Sequence, residues 1–135
     1  MHKHILIPVA LDHEVLVQPK IDLARSLLAP GGKITLLTVL ERVPGFVAEF
    51  IDLKPENHLT ARIKAKLDQA AAGADDIETA VETGKPGVFI TGYAKETNAD
   101  LIIVGSQSPD GEGYALGSTA ARVARRAPCA VYILR

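Results

Sequence analysis

The sequence predicts an open, doubly wound α/β fold, with five parallel strands in the order 3-2-1-4-5 and helices on both faces. Three observations carry this. Continuous apolar runs such as Ile5 to Val9 and Leu101 to Val104 suit strands buried on both faces. Segments of helical spacing alternate with those runs along the chain. The five runs are too few for a closed parallel barrel, which needs about eight. The 135 residues fit one domain, 1–135, and an apolar share of 47% is enough for a core on each face of a sheet.

The first strand is read at Ile5 to Val9. Pro19 suits a first helical turn, and Ile21, Ala24, Leu27 and Leu28 follow at helical spacing until Pro30-Gly31. The second strand, Ile34 to Leu40, lies between Gly31-Gly32 and Glu41-Arg42. Val43 to Lys54 shows no clear period. A longer helix is expected from Pro55, with Leu59, Ile63, Leu67 and Ala70 on one stripe and Gly73 as its stop. Ile77 to Val81 alternates with Glu78 and Glu82, which suits an edge strand.

Gly84-Lys85-Pro86-Gly87 opens the next helix, which turns Ile90, Tyr93 and Ala94 inward and ends near Asn98. Leu101 to Val104 is the fourth strand. A loop rich in Gly, Ser, Pro and acidic residues follows, from Gly105 to Leu116. Gly117 begins the last helix, with Ala120, Val123, Ala124 and Ala127 on one face. Pro128 ends it, and Ala130 to Leu134 is the fifth strand.

Composition excludes several classes. Fifteen basic residues oppose sixteen acidic ones, so no global field draws the chain to nucleic acid or an anionic membrane. Aromatic residues make up 4% and Trp is absent, which argues against stacking platforms for single strands. The single cysteine, Cys129, lies in an apolar run and reads as a buried structural thiol. No apolar stretch approaches the roughly 20 residues of a membrane span. Pro8 and Asp12 cut the first apolar run too short for a signal peptide. The expectation is a cytoplasmic protein with no membrane insertion and no nucleic-acid partner.

In open α/β sheets, ligands bind beyond the carboxyl ends of the strands, where the strand order reverses. Gly105, Gly111, Gly113 and Gly117 follow strand 4, and Gly117 leads into Ser118-Thr119 and a helix. A helix N-terminus offers free N–H groups and partial positive charge, which favour phosphate. The plainer reading is that these glycines only turn a surface loop and Ser118 only caps the helix. Both stay open on the residues alone. No Lys follows the last glycine, so this is not a Walker A loop. Nor does it follow strand 1, as a Rossmann fingerprint would. Asp110 and Glu112 would repel phosphate unless they turn outward or a divalent cation bridges them.

No residues form a catalytic constellation. His2 and His4 would share a strand face, but lack a third metal ligand, so no metal site is assigned. His13, after strand 1, reads as a solvated loop residue. Arg122, Arg125 and Arg126 complement the last helix's dipole. Asp75-Asp76 reads as solvated.

Four segments resemble the universal stress protein family: Ile5-Leu6-Ile7-Pro8-Val9, Leu36-Leu37-Thr38-Val39, Gly84-Lys85-Pro86, and Ala99 to the C-terminus. The most specific part is Leu116-Gly117-Ser118-Thr119-Ala120 followed by Arg126-Ala127-Pro128-Cys129-Ala130-Val131. The resemblance runs through nearly the whole chain in order. It implies an adenine nucleotide alpha hydrolase-like fold. It also implies a site for ATP, or for ADP or AMP, with or without Mg2+.

The implied nucleotide-binding residues are Pro8, Val9, Ala10, Asp12, Val39, Gly105, Ser106, Gln107, Ser108, Gly117, Ser118 and Thr119. In this picture the backbone near Val39 meets adenine and the glycine loop wraps ribose and phosphates. The chain departs from the family's G-x-x-G, nine residues, G-S pattern. Ser108 replaces the second glycine, and eight residues, Pro109 to Leu116, precede Gly117-Ser118. These two departures, with Pro109, resemble a sub-branch with S-x-x-P in the loop and L-G-S after it. The acidic residue usual after strand 1 falls at Ala10, with Asp12 two positions on.

Strand 5 is apolar on both faces at a sheet edge, and pairing with a second copy would cover it. The resemblance also implies dimers, or tetramers built from them, with Val131, Tyr132, Ile133 and Leu134 at the interface. The leading expectation is a regulatory ATP-binding protein of stress response or signalling, acting on an unidentified protein partner. It would not be a dedicated enzyme, and hydrolysis would be slow at most. The alternative is a nucleotide-independent dimeric interaction module with a degenerate pocket. A true nucleotide hydrolase stands third.

Overall fold

The apolar runs become the inner strands. The structure is a computed structural model and describes residues 1–10, 17–41, 53–106 and 116–135. In chain order the elements are β1 (His2–Pro8), α1 (Val17–Leu27), β2 (Leu28–Leu40), α2 (Leu53–Ala71), β3 (Ile77–Thr83), α3 (Pro86–Glu96), β4 (Leu101–Gly105), α4 (Ser118–Arg126) and β5 (Ala130–Leu134). The strands form one five-stranded sheet in the order β3-β2-β1-β4-β5. Each neighbouring pair is parallel, with Ile5 opposite Ile34 on one side and Leu101 on the other.

The order dictates the layers. From β1 to β3 the chain steps one way across the sheet, so right-handed crossovers put α1 and α2 on one face. From β3 to β4 to β5 it steps the other way, so α3 and α4 cover the opposite face. Alternation along β1 follows this division. Ile5 and Ile7 pack with Ile21, Ala24, Ile63 and Leu67, while Leu6 packs with Ile90, Ala94, Ala120 and Val123. The step reverses between β1 and β4, so helices leave those two strand ends on opposite faces and a crevice opens there.

The structure corrects several expectations. β2 starts at Leu28, directly after α1, and not at Ile34. Gly31, at φ 79°, and an irregularity in register between His2 and His4 absorb the turn within the strand pair. His2 and His4, read as sharing a strand face, take different partners. His2 faces Asp100 at 3.3 Å, while His4 is buried against Thr35 and the Thr97 carbonyl. Leu59 is exposed, so α2 packs on the sheet from Ile63 onward. Ala124 also faces solvent. Asp76 is not merely solvated, because Arg25 binds it at 2.7 Å. The described parts of the chain contain no helix long and apolar enough to cross a membrane.

Candidate functional site

The carboxyl end of β1 is fastened to β2 through Val9. The Val9 N–H donates to the Leu37 carbonyl at 2.8 Å, and the Val9 carbonyl accepts from Thr38 Oγ1 at 2.9 Å. Thr38 can be buried because this bond satisfies its hydroxyl. Just beyond, Ala10 is exposed. Val9, Ala10 and Thr38 line a cleft of about 330 Å³, closed by Val17 of α1 and by Ile63 and Leu67 of α2. Lys66 and Gln69 also border it. The volume is at the lower end of the roughly 300–1,000 Å³ typical of small-molecule sites. Apolar walls with few polar groups suit a flat, weakly polar ring system.

Strand alternation decides what Val39 can offer. Thr38 faces this cleft, whereas the Val39 side chain packs against the opposite core. Any contribution of Val39 to the cleft is therefore from its backbone. Pro8 is half-buried, opposite Leu37 in the sheet.

The second part of the site lies where β4 ends and α4 begins. Gly105 pairs with Leu134, and the Ser106 N–H donates to the Leu134 carbonyl at 3.1 Å. That N–H is engaged with β5 and does not point to an anion. Gly117 is the N-cap of α4, so no side chain caps the helix. Ser118 is the first helical residue, which removes the reading of it as a mere cap. The first turn of α4 also lacks an acidic residue.

Ser118 and Thr119 border a second groove of about 710 Å³, which extends to Lys85, Gly87 and Arg122 and has Glu41 on its wall. The structure thus places Val9 and Ala10 in one cleft and Ser118 and Thr119 in another, both at the carboxyl end of the sheet. Asp12, Gln107 and Ser108, together with Asp110, Glu112 and His13, lie outside the described residues.

Among the described residues, no three His, Cys, Asp or Glu side chains gather as metal ligands would. Cys129 is partly buried, and burial pushes its thiol pKa up, with the Asp100 charge adding to this. That environment disfavours a thiolate.

Sequence reasoning missed Thr38 as a cleft residue, along with the α2 wall and the pairing of Lys85 with Arg122 in one groove. A lone hydroxyl within the apolar run Leu36 to Leu40 was the available signal for Thr38. No local signal links Lys85 to Arg122, because packing of α3 on α4 brings them together.

Comparison with known proteins bears out the fold. A protein of Staphylococcus aureus (strain USA300) that carries the universal stress protein name is 39% identical over 66 residues. That match covers 47% of this chain and 40% of the relative, so the alignment spans less than half of the curated relative's length. The universal stress protein UspA from Lactobacillus plantarum superposes with a TM-score of 0.72 at 25% identity, over 98% of this chain and 97% of that one. A universal stress protein solved in complex with cAMP superposes with a TM-score of 0.65 at 24% identity, over 99% and 97% of the two chains. The model of the universal stress protein family matches residues 1–135, and the chain belongs to that family.

Proposed function

We infer that this chain is a regulatory adenine-nucleotide-binding protein acting in the cytoplasm in stress response or signalling. The observation that carries this reading is one juxtaposition at the carboxyl end of the sheet. An apolar cleft built on Val9, Ala10 and Thr38 flanks the reversal of strand order, and so does the uncapped start of α4 at Gly117-Ser118. A base in the cleft and a phosphate at the helix start would satisfy both. The family neighbour solved with cAMP motivates adenine as the base.

ATP is the ligand to test first, with ADP and AMP beside it and Mg2+ as the accompanying ion. The S-x-x-P run at Ser106 to Pro109 supports placement in that sub-branch of the family. No general base or dedicated catalytic group is part of this reading, so any hydrolysis would be slow.

The β5 edge supports a homodimer. Tyr132 is exposed there, beside Val131, Ile133 and Leu134. Pairing with the same strand of a second copy would cover an open row of backbone donors and acceptors. Tetramers would need a further surface. Sedimentation as a monomer at micromolar concentration would remove this part of the reading.

Ala10 in place of a carboxylate and the engaged Ser106 N–H favour the second reading, a nucleotide-independent interaction module. A thermal melt with and without ATP and Mg2+ separates the two. Ligand at 100 times its Kd adds about 2.7 kcal/mol, which is several degrees for a domain of this size. No shift, in a sample free of carried-over nucleotide, selects the interaction module.

A further inference from the structure

We propose that the groove between the first turns of α3 and α4 holds the distal phosphates of the nucleotide through Lys85 and Arg122, so that the site prefers a triphosphate to a monophosphate. This rests on the reading of Ser118-Thr119 as the start of the phosphate path. The groove, at about 710 Å³, is larger than the apolar cleft and too large for a single phosphate. It extends from Ser118 and Thr119 to Lys85, Gly87 and Arg122.

Arg122 is exposed, but its stem lies close against Gly87. A Cβ on Gly87 would lie 2.5 Å from Arg122 Cδ, 3.0 Å from Cγ and 3.1 Å from Cβ. The stem of Arg122 therefore lies flat on the first turn of α3. A cation is thus kept beside the positive end of one helix dipole and one turn from the start of another, and Lys85 stands at the N-cap of α3. Neither first turn carries an acidic residue. Among the described residues, neither Lys85 nor Arg122 is in an ion pair, and Glu41, the carboxylate on the groove wall, makes none with them. Like charges gathered in this way repel one another until an anion sits among them. A phosphate would take a forked pair of donors from Arg122 and a point charge from Lys85. The one groove runs from Ser118 and Thr119 at the start of α4 to Lys85 at the start of α3, which suits a chain of phosphates better than one group.

The test is calorimetric titration of ATP and of AMP into the full chain and into Arg122→Gln, Lys85→Gln and Arg125→Gln, with melts confirming that each variant folds. The expected result is ATP binding at least about tenfold tighter than AMP. Arg122→Gln and Lys85→Gln should each weaken ATP by about tenfold and leave AMP within about twofold. Arg125→Gln, outside the groove, should leave both ligands as they were. Equal affinities in the parent chain, or equal losses for ATP and AMP in the variants, would overturn the inference and leave the nucleotide reading standing. Binding of neither nucleotide by the parent chain would remove that reading and this inference with it.

Discussion

Gly87 and Arg122 lie so close that a single carbon added to the glycine would be 2.5 Å from Cδ of the arginine. Gly87 is the second residue of α3, so the contact joins the first turn of that helix to the second turn of α4. In an Arg122→Ala background, Gly87→Ala should stabilise the chain by a few tenths to about 1 kcal/mol, the usual helical preference of alanine over glycine. With Arg122 present it should cost about 1 kcal/mol, as overpacking does. Urea denaturation of the four proteins would read a coupling of about 1–2 kcal/mol. Equal effects in the two backgrounds would mean that the arginine stem swings away freely and nothing locks it.

At the opposite end of the sheet, His4 Nε2 lies 2.8 Å from Thr35 Oγ1 and Nδ1 lies 3.2 Å from the Thr97 carbonyl oxygen. The carbonyl can only accept, so Nδ1 carries the hydrogen and Nε2 accepts from the threonine hydroxyl. Burial lowers the His4 pKa below 6.5. The Thr97 carbonyl opposes this, Lys33 adds to it, and Glu78 and Asp100 oppose it. As pH falls, the unfolded chain therefore takes up this proton before the folded chain does. The stabilisation is complete above pH 6.5 and declines as pH drops from there to the folded pKa.

Urea midpoints should thus fall between about pH 7.5 and about pH 5, and His4→Gln should remove much of that fall. Asp100 does not confuse the measurement. Burial raises its pKa, but the Lys3 and His4 N–H groups and His2 together outweigh this and hold it below 3.8. Its stabilisation is lost only as pH falls below 3.8. Thr35→Val, which leaves Nε2 without a donor, should cost about 1–3 kcal/mol. An unchanged midpoint in that variant would mean the bond contributes nothing net.

The architecture was readable because its signals are long and local. Ile5 to Val9 and Leu101 to Val104 carry no polar side chain and became β1 and β4 in the sheet interior, while Glu78 and Glu82, alternating with Ile77 and Val81, placed β3 at an edge. The start of β2 was hidden because helical spacing runs on through Leu27 and Leu28, and the turn is made inside the strand by Gly31. Thr38 was masked by the apolar residues around it. Lys85 and Arg122 could not be joined from sequence, because only the approach of α3 to α4 puts them in one groove.

Lys20 is another residue that the pattern did not expose. It lies on the buried stripe of α1 with Val17, Ile21 and Ala24 and is only 4% exposed. Among the described residues it has no hydrogen bond or ion pair. Burial pushes its pKa below 10.5. Lys20→Met keeps the stem and removes the buried charge, and should stabilise the chain by about 1–3 kcal/mol at neutral pH. The cost of the charge is complete below the folded pKa and is relieved as pH rises toward 10.5, so the gain should shrink in alkaline buffer. A loss of stability in Lys20→Met would show that the ammonium has an acceptor.

Gly117 offers the sharpest test of the phosphate site. Its backbone, at φ −59° and ψ 156°, is open to any L-residue, unlike Gly31 at φ 79° and Gly73 at φ 72°. Conformation therefore does not require a glycine at the N-cap of α4, and on the nucleotide reading what it supplies is room for a phosphate beside the first N–H groups of the helix. Gly117→Val should keep the melting transition within about 1 kcal/mol of the parent, because no strained dihedral is imposed. It should lower nucleotide affinity by well over tenfold, because the added side chain fills the space a phosphate would take. Gly73→Ala is the converse control. It should lose about 1 kcal/mol or more of stability to left-handed strain and leave nucleotide affinity unchanged. If Gly117→Val binds nucleotide like the parent, the phosphates do not lie at the start of α4.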